Sequence, residues 1–171
     1  VITGGSRGLG LQMARAFAQA GANVVIASRK LANCEQAAAE IEEELGVECL
    51  PVACPVANWT DCDALYDAAY AKFGRIDILV NNAGMSPIYD SVTDVSEELY
   101  DKVLNVNLRG PFRLCSLFGT RMAGGDGGSI INVSSTAAVQ PTADVIPYAS
   151  AKAGLNAMTV GFSRAFAPNV R

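Results

Sequence analysis

The chain has 171 residues, 50% of them hydrophobic and 18% charged, with 13 basic against 17 acidic side chains for a net charge of −4. That is the composition of a globular chain with a large buried core, and without a Lys/Arg run it offers no surface to nucleic acid or to an anionic membrane. Having no histidine, it cannot build a Ser-His-Asp triad, a His-ligated metal site or a His general base.

The five cysteines are odd in number and form no C-x-x-C; they read as free thiols of a reducing, cytoplasmic compartment, with no metal site. No apolar run approaches the ~20 residues of a membrane span. Val1-Ile2 reads as the end of a strand, followed by a glycine-rich turn and a helix whose Leu11, Ala14, Phe17 and Ala18 share one face before Gly21 ends it. Residues 24–27 are a buried strand, 31–45 a helix with its glutamates outward, and 49–53 a third strand. Thr60 is placed to cap a helix to Phe73, closed by Gly74. A strand over 76–80 runs into Asn81-Asn82-Ala83-Gly84. Ser96 starts a helix to about Asn107, and Pro111 starts another that ends at Gly124. Residues 129–133 are a fifth strand, and a loop leads to a helix from Tyr148 that ends by Pro168.

Strands alternating with helices of ten or more residues imply crossover units and a parallel sheet covered on both faces, a three-layer, doubly wound Rossmann-like α/β fold in one domain, 1–171. The first residues read as mid-strand and 169–171 as the start of another, so the domain is expected to be incomplete at both ends, with an apolar edge at the fifth strand.

A strand entering a glycine-rich turn that opens a helix sets backbone N–H groups and the positive end of the helix dipole against an anion. The spacing Gly4-x-x-x-Gly8-x-Gly10 differs from the usual dinucleotide pattern, but its place between strand and helix is the right one. About 20 residues further on, NAD enzymes carry an acid for the ribose hydroxyls; here stand Ser28, Arg29 and Lys30. A guanidinium pairs with a 2′-phosphate where a carboxylate would repel it, so NADP is preferred over NAD, with Arg29 as clamp and Arg7 as a second arm. The plain alternative is that Arg29 and Lys30 solvate a strand end.

Tyr148 and Lys152, four residues apart on a helix, lie on one face. A cation fixed beside a phenol stabilises the phenolate and suits it to proton transfer. In isolation such a pair is commonly just solvated.

With these residues in view, the chain resembles the short-chain dehydrogenases/reductases. TGGSRGLG at 3–10 looks like their cofactor turn, NNAG at 81–84 like their central-strand motif and YASAK at 148–152 like their catalytic Tyr-x-x-x-Lys. The resemblance implies that Gly4, Ser6, Arg7, Gly8, Leu9 and Gly10 hold the cofactor, with Asn81, Ala83 and Gly84 along the adenosine ribose. It implies that Tyr148 exchanges the proton with the substrate oxygen and that Lys152 binds the nicotinamide ribose and eases the proton's loss. Ser135, thirteen residues ahead of Tyr148, would hydrogen-bond the carbonyl, with Ser134 turned to the other side, and Asn107 would support a water leading from the lysine to solvent. Pro55 departs from the pattern, standing where an Asp or Asn usually bonds the adenine amine; adenine is left to apolar contact with Val56.

The expectation is an NADP(H)-dependent oxidoreductase interconverting a carbonyl and a secondary alcohol, with a 3-oxoacyl reductase as one form of it; the alternative is a non-catalytic NADP-binding sensor or scaffold subunit. The substrate is a small carbonyl or alcohol. Met85–Ser91 and 139–146 would line its pocket, and the family's variable substrate loop is expected beyond Arg171. Apolar residues on more than one face of the helices near 111–123 and 148–166 point to a homodimer or homotetramer.

Overall fold

The computed structural model describes residues 1–171. Five strands, β1 (Ile2–Thr3), β2 (Val24–Ser28), β3 (Cys49–Ala53), β4 (Ile78–Asn81) and β5 (Ser129–Asn132), form one parallel sheet in the order β3-β2-β1-β4-β5. Six helices accompany them, five between strands and the last after β5: α1 (Gly8–Gln19), α2 (Leu31–Leu45), α3 (Trp59–Phe73), α4 (Glu97–Leu104), α5 (Gly110–Ala123) and α6 (Ile146–Phe166). This is the expected Rossmann-like α/β fold. The strand order reverses between β1 and β4, and both strands end on the same rim of the sheet, where such folds bind ligands.

Alternation along the strands divides the core in two. Val25, Ala27 and Leu79 point to one face and pack with Leu65 of α3 and Leu114 and Phe118 of α5. Val24, Ile26 and Val80 point to the other, against Ala14 and Ala18 of α1 and Ile41 of α2. Burial on both faces explains why β2 reads as a continuous apolar run rather than an alternating one. Pro51 is tolerated within β3 because β3 is an edge strand. All five cysteines are buried free thiols, and no helix is long and apolar enough to cross a membrane.

Four boundaries differ from expectation. Asn58, not Thr60, occupies the cap position of α3, although its side chain donates to Asp61 at 2.9 Å instead of capping. The strand expected from residue 76 begins at Ile78. The two helices expected on either side of Pro111 are joined by a π-helical turn, Asn105–Arg109. Pro111 has no N–H for the carbonyl of Asn107 and its ring crowds that carbonyl; the helix answers by widening rather than stopping. Helix α6 begins at Ile146 with Pro147 in its first turn, so Tyr148 lies just inside the helix. The outer edge of β5 is not bare: Val170 bridges Gly128 in parallel, and Ile130 N donates to Arg171 O at 2.8 Å.

Candidate active site

The turn after β1 is shaped for close approach. Gly4 and Gly8 adopt φ of 65° and 55°, which glycine takes without strain. A Cβ on Gly10 would sit 2.2 Å from Gly4 O and 2.5 Å from Asn82 Nδ2, whereas one on Gly8 would meet nothing within 4 Å. The turn is thus closed on its sheet side and open in front. Leu11 N makes the first intrahelical bond, to Arg7 O, and α1 has neither a side-chain cap nor an acidic residue in its first turn. Its leading amides are left for an anion. Leu9 is 60% exposed beside them.

Ser6 Oγ donates to Ser28 Oγ at 3.0 Å, tying the turn to the end of β2. Arg7, Arg29 and Lys30 are exposed there, and none of them forms an ion pair. Arg7 thus lies in the turn and Arg29 and Lys30 follow the serine bonded to it, with no carboxylate paired to any of the three, which fits an anionic group at this rim. Pro55 is half-buried next to this rim, but Val56 is only 5% exposed, packed in the core with its carbonyl against Gly110. The side-chain contact expected between Val56 and adenine is therefore small, because the side chain is taken up between helices.

At the end of β4, the Thr3 hydroxyl joins the two strands that flank the switch point. Thr3, 1% exposed, donates to Val80 O at 3.3 Å and accepts from Asn82 N at 3.0 Å and Ala83 N at 3.1 Å. Asn82 Nδ2 returns a bond to Thr3 O at 2.9 Å. Asn81 points inward, donating to Asn132 Oδ1 at 2.9 Å and to Cys115 Sγ at 3.2 Å, while its own Oδ1 is buried with no partner. Thr3 and Asn82 lie inside the two motifs, but nothing in those motifs marks the bonds between them. The available signal was strand alternation, which turns one of two adjacent asparagines to each side.

The π turn places Asn107, fully buried, across from this loop. Its Nδ2 donates to Met85 O at 2.8 Å and Val103 O at 2.9 Å, and its Oδ1 accepts from Met85 N at 3.2 Å. Gly84 lies between Asn107 and the lysine: a Cβ there would be 3.0 Å from Asn107 Oδ1 and 4.0 Å from Lys152 Nζ. Lys152 is 4% exposed, donates to Val133 O at 2.6 Å, and holds its nitrogen 5.8 Å from the centre of the Tyr148 ring. Burial lowers its pKa from the ordinary lysine value. Ser135 follows β5; its Oγ accepts from Ala137 N at 3.2 Å, which leaves its hydrogen free to donate. The single turn after it, Thr136–Ala138, packs on α6. The Ser134 hydroxyl is buried and unpaired. Gly84, Asn107, Val133 and Lys152 thus form one cluster, with Tyr148 and Ser135 on the elements that carry it. A hydroxyl donor, a phenol and a buried ammonium there can polarise a carbonyl and move one proton.

The human "Dehydrogenase/reductase SDR family member 4" is 37% identical to this chain over 172 residues, a match covering all of the chain and 62% of the human protein. The chain therefore spans less than two thirds of the length of that relative. The crystal structure of L-sorbose reductase from Gluconobacter frateurii complexed with NADPH and L-sorbose superposes with a TM-score of 0.95 at 32% identity, over 99% of this chain and 65% of that one. That of NAD+-bound xylitol dehydrogenase gives 0.93 at 28% identity, over 99% and 65%. The short chain dehydrogenase family profile matches residues 1–171, and the chain belongs to that family.

Proposed function

We propose that residues 1–171 are the NADP(H)-binding and proton-transferring unit of an oxidoreductase that interconverts a carbonyl and a secondary alcohol. The observation that carries the reading is Lys152: an ammonium 4% exposed, anchored on Val133 O and set beside the Tyr148 ring. Burying a charge is costly. A protein that only bound a nucleotide could use the ammonium to hold a ribose, but it would have no use for a phenol set beside that ammonium.

A bound nicotinamide dinucleotide would supply the hydride. The leading amides of α1 and the open face at Gly8 would hold its pyrophosphate, and Ser28, Arg29, Lys30 and Arg7 a 2′-phosphate. Of the two superposed structures reported above, one binds NADPH and the other NAD+; the preference for NADP rests on these unpaired cations and the lack of an acid after β2. Asn81, Ala83 and Gly84 would lie along the ribose, and Val56 would flank the adenine mainly by its backbone. Ser135 donates its free hydrogen to the substrate oxygen and stabilises the charge that develops there. Tyr148 delivers the proton to that oxygen in reduction and takes it back in oxidation, while Lys152 holds the nicotinamide ribose. Asn107 keeps the Met85 segment against the lysine.

Residues 85–91 and 139–146 line the substrate side, with Tyr89 OH accepting from Ile146 N at 2.9 Å between them. The substrate is a small carbonyl compound, 3-oxoacyl thioesters being the first class to test and ketoses the second. Phe112 and Val160, 44% and 52% exposed on α5 and α6, mark the face through which the protein forms a homodimer or homotetramer, and the reduced thiols fit the cytoplasm.

The test is NADPH oxidation by the intact protein against a carbonyl panel containing both classes. Turnover that is lost in Tyr148→Phe with NADPH binding retained is expected. Tight NADPH binding with no turnover on any carbonyl would replace this reading with that of a sensor or scaffold subunit.

A further inference from the structure

Behind the reacting groups, a chain of side-chain hydrogen bonds joins four of the site's elements. Asn132, the last residue of β5, accepts at Oδ1 from Asn81 Nδ2 at 2.9 Å and from Cys115 Sγ on α5 at 3.5 Å. Its Nδ2 donates to Thr159 Oγ1 at 2.9 Å, and Thr159 donates to Leu155 O at 2.8 Å. One amide therefore uses its oxygen toward β4 and α5 and its nitrogen toward α6.

Val133, whose carbonyl holds Lys152, follows Asn132 directly, and Ser135 stands two residues beyond Val133. Thr159 is seven residues beyond Lys152, which at 3.6 residues per turn sets it about two turns along the same helical face. Leu155 lies between them, 1% exposed. Helix α6 is thus pinned to β5 by polar bonds at two points, Lys152 on Val133 and Thr159 on Asn132. A helix held at one such point can pivot about it; two points about two turns apart fix its tilt against β5.

We propose that Asn132 and Thr159 are positioning residues for the oxidoreductase reaction, holding α6 so that Lys152 and Tyr148 stay in register with Ser135. This rests on the function proposed above. Neither residue touches the reacting atoms; both act through the seating of α6. Displacement of reacting groups by about 1 Å is enough to cost up to about a hundredfold in rate, so a modest pivot is felt in kcat before it is felt in binding.

Thr159→Val removes the hydroxyl at nearly constant volume and Thr159→Ser retains it. In the intact protein, Thr159→Val is expected to lower kcat for carbonyl reduction about tenfold with KM for NADPH and carbonyl within about twofold, and Asn132→Ala to do the same. Thr159→Ser should recover kcat to within about twofold of the parent. A second readout needs no turnover. Acetylation of Lys152 by acetic anhydride, followed by peptide mass spectrometry, should quicken several-fold in Thr159→Val relative to exposed Lys30. Parental kcat and parental Lys152 labelling in Thr159→Val, or a Thr159→Ser variant as impaired as Thr159→Val, would overturn the proposal. If the parent turned over no carbonyl, the oxidoreductase reading would fail by itself and the labelling would still decide whether the pin exists.

Discussion

Replacing Thr3 by valine tests the junction at the switch point. The shape is kept and one hydroxyl is lost, the one that accepts from Asn82 N and Ala83 N and donates to Val80 O. An amide left unpaired in the interior costs about 1–3 kcal/mol. Asn82 and Ala83 are half-buried, so water reaches them and the lower figure, about 1 kcal/mol each, applies. The long bond to Val80 O adds about 0.5 kcal/mol, and the new buried methyl returns about 0.8 kcal/mol. The net loss of about 2 kcal/mol corresponds to a fall in Tm of about 4–8 °C for a chain of this size. Thermal unfolding by circular dichroism reads it directly. NADPH fluorescence titration should show weaker binding in Thr3→Val than in Thr3→Ser, because only serine keeps the Asn82–Ala83 backbone tied to β1. A Thr3→Val protein within about 1 °C of the parent and with parental NADPH affinity would show that the Thr3 hydroxyl does not hold this junction.

Arg29→Asp should weaken NADPH about tenfold or more while leaving NADH nearly unchanged; an unaltered preference in fluorescence titrations would place the 2′-phosphate elsewhere. Gly10→Ala drives a methyl into Gly4 O, a backbone atom with no room to yield, and is expected to abolish NADPH binding at micromolar protein while far-ultraviolet dichroism persists; parental affinity would contradict the closed turn. Burial lowers the Lys152 pKa from 10.5, so the folded chain releases that proton before the unfolded chain does, and this lysine's contribution to stability rises with pH across the window ending at 10.5. Lys152→Met lacks that contribution: urea unfolding should show the parent gaining on the variant as pH rises toward that limit, and a pH-independent difference would contradict the assignment.

What the sequence made legible were features with a pattern. Glycines between a strand and a helix, asparagines at a strand end and a Tyr-Lys pair at helical spacing each have a recognisable spacing, and the alternation of elements gave the parallel sheet. Pro111 was read as a helix start because proline suits a first turn; whether a helix stops or widens at a proline depends on what its neighbours hold, and here Asn107 is held by Met85 and Val103. The cap at Thr60 and the start at Tyr148 were displaced by a turn or less, the usual reach of local capping signals. Thr3 and Asn82 sit inside patterned stretches and Asn132 and Thr159 outside them, but in none of the four does the pattern show the hydrogen bonds it makes. The bonds from Thr3 to Asn82 and Ala83 and from Asn132 to Thr159 span 27 to 80 residues of chain, and only the folded sheet brings these residues together.

Hydride transfer assisted by the proton of Tyr148 leaves its mark on the product. The most direct measurement gives the protein NADPH deuterated at the transferable C4 position with an accepted carbonyl and examines the alcohol by mass spectrometry. One deuterium on the carbinol carbon, and none when Tyr148→Phe binds the same NADPH, is the predicted result. Unlabelled alcohol, or equal labelling by Tyr148→Phe, would contradict it.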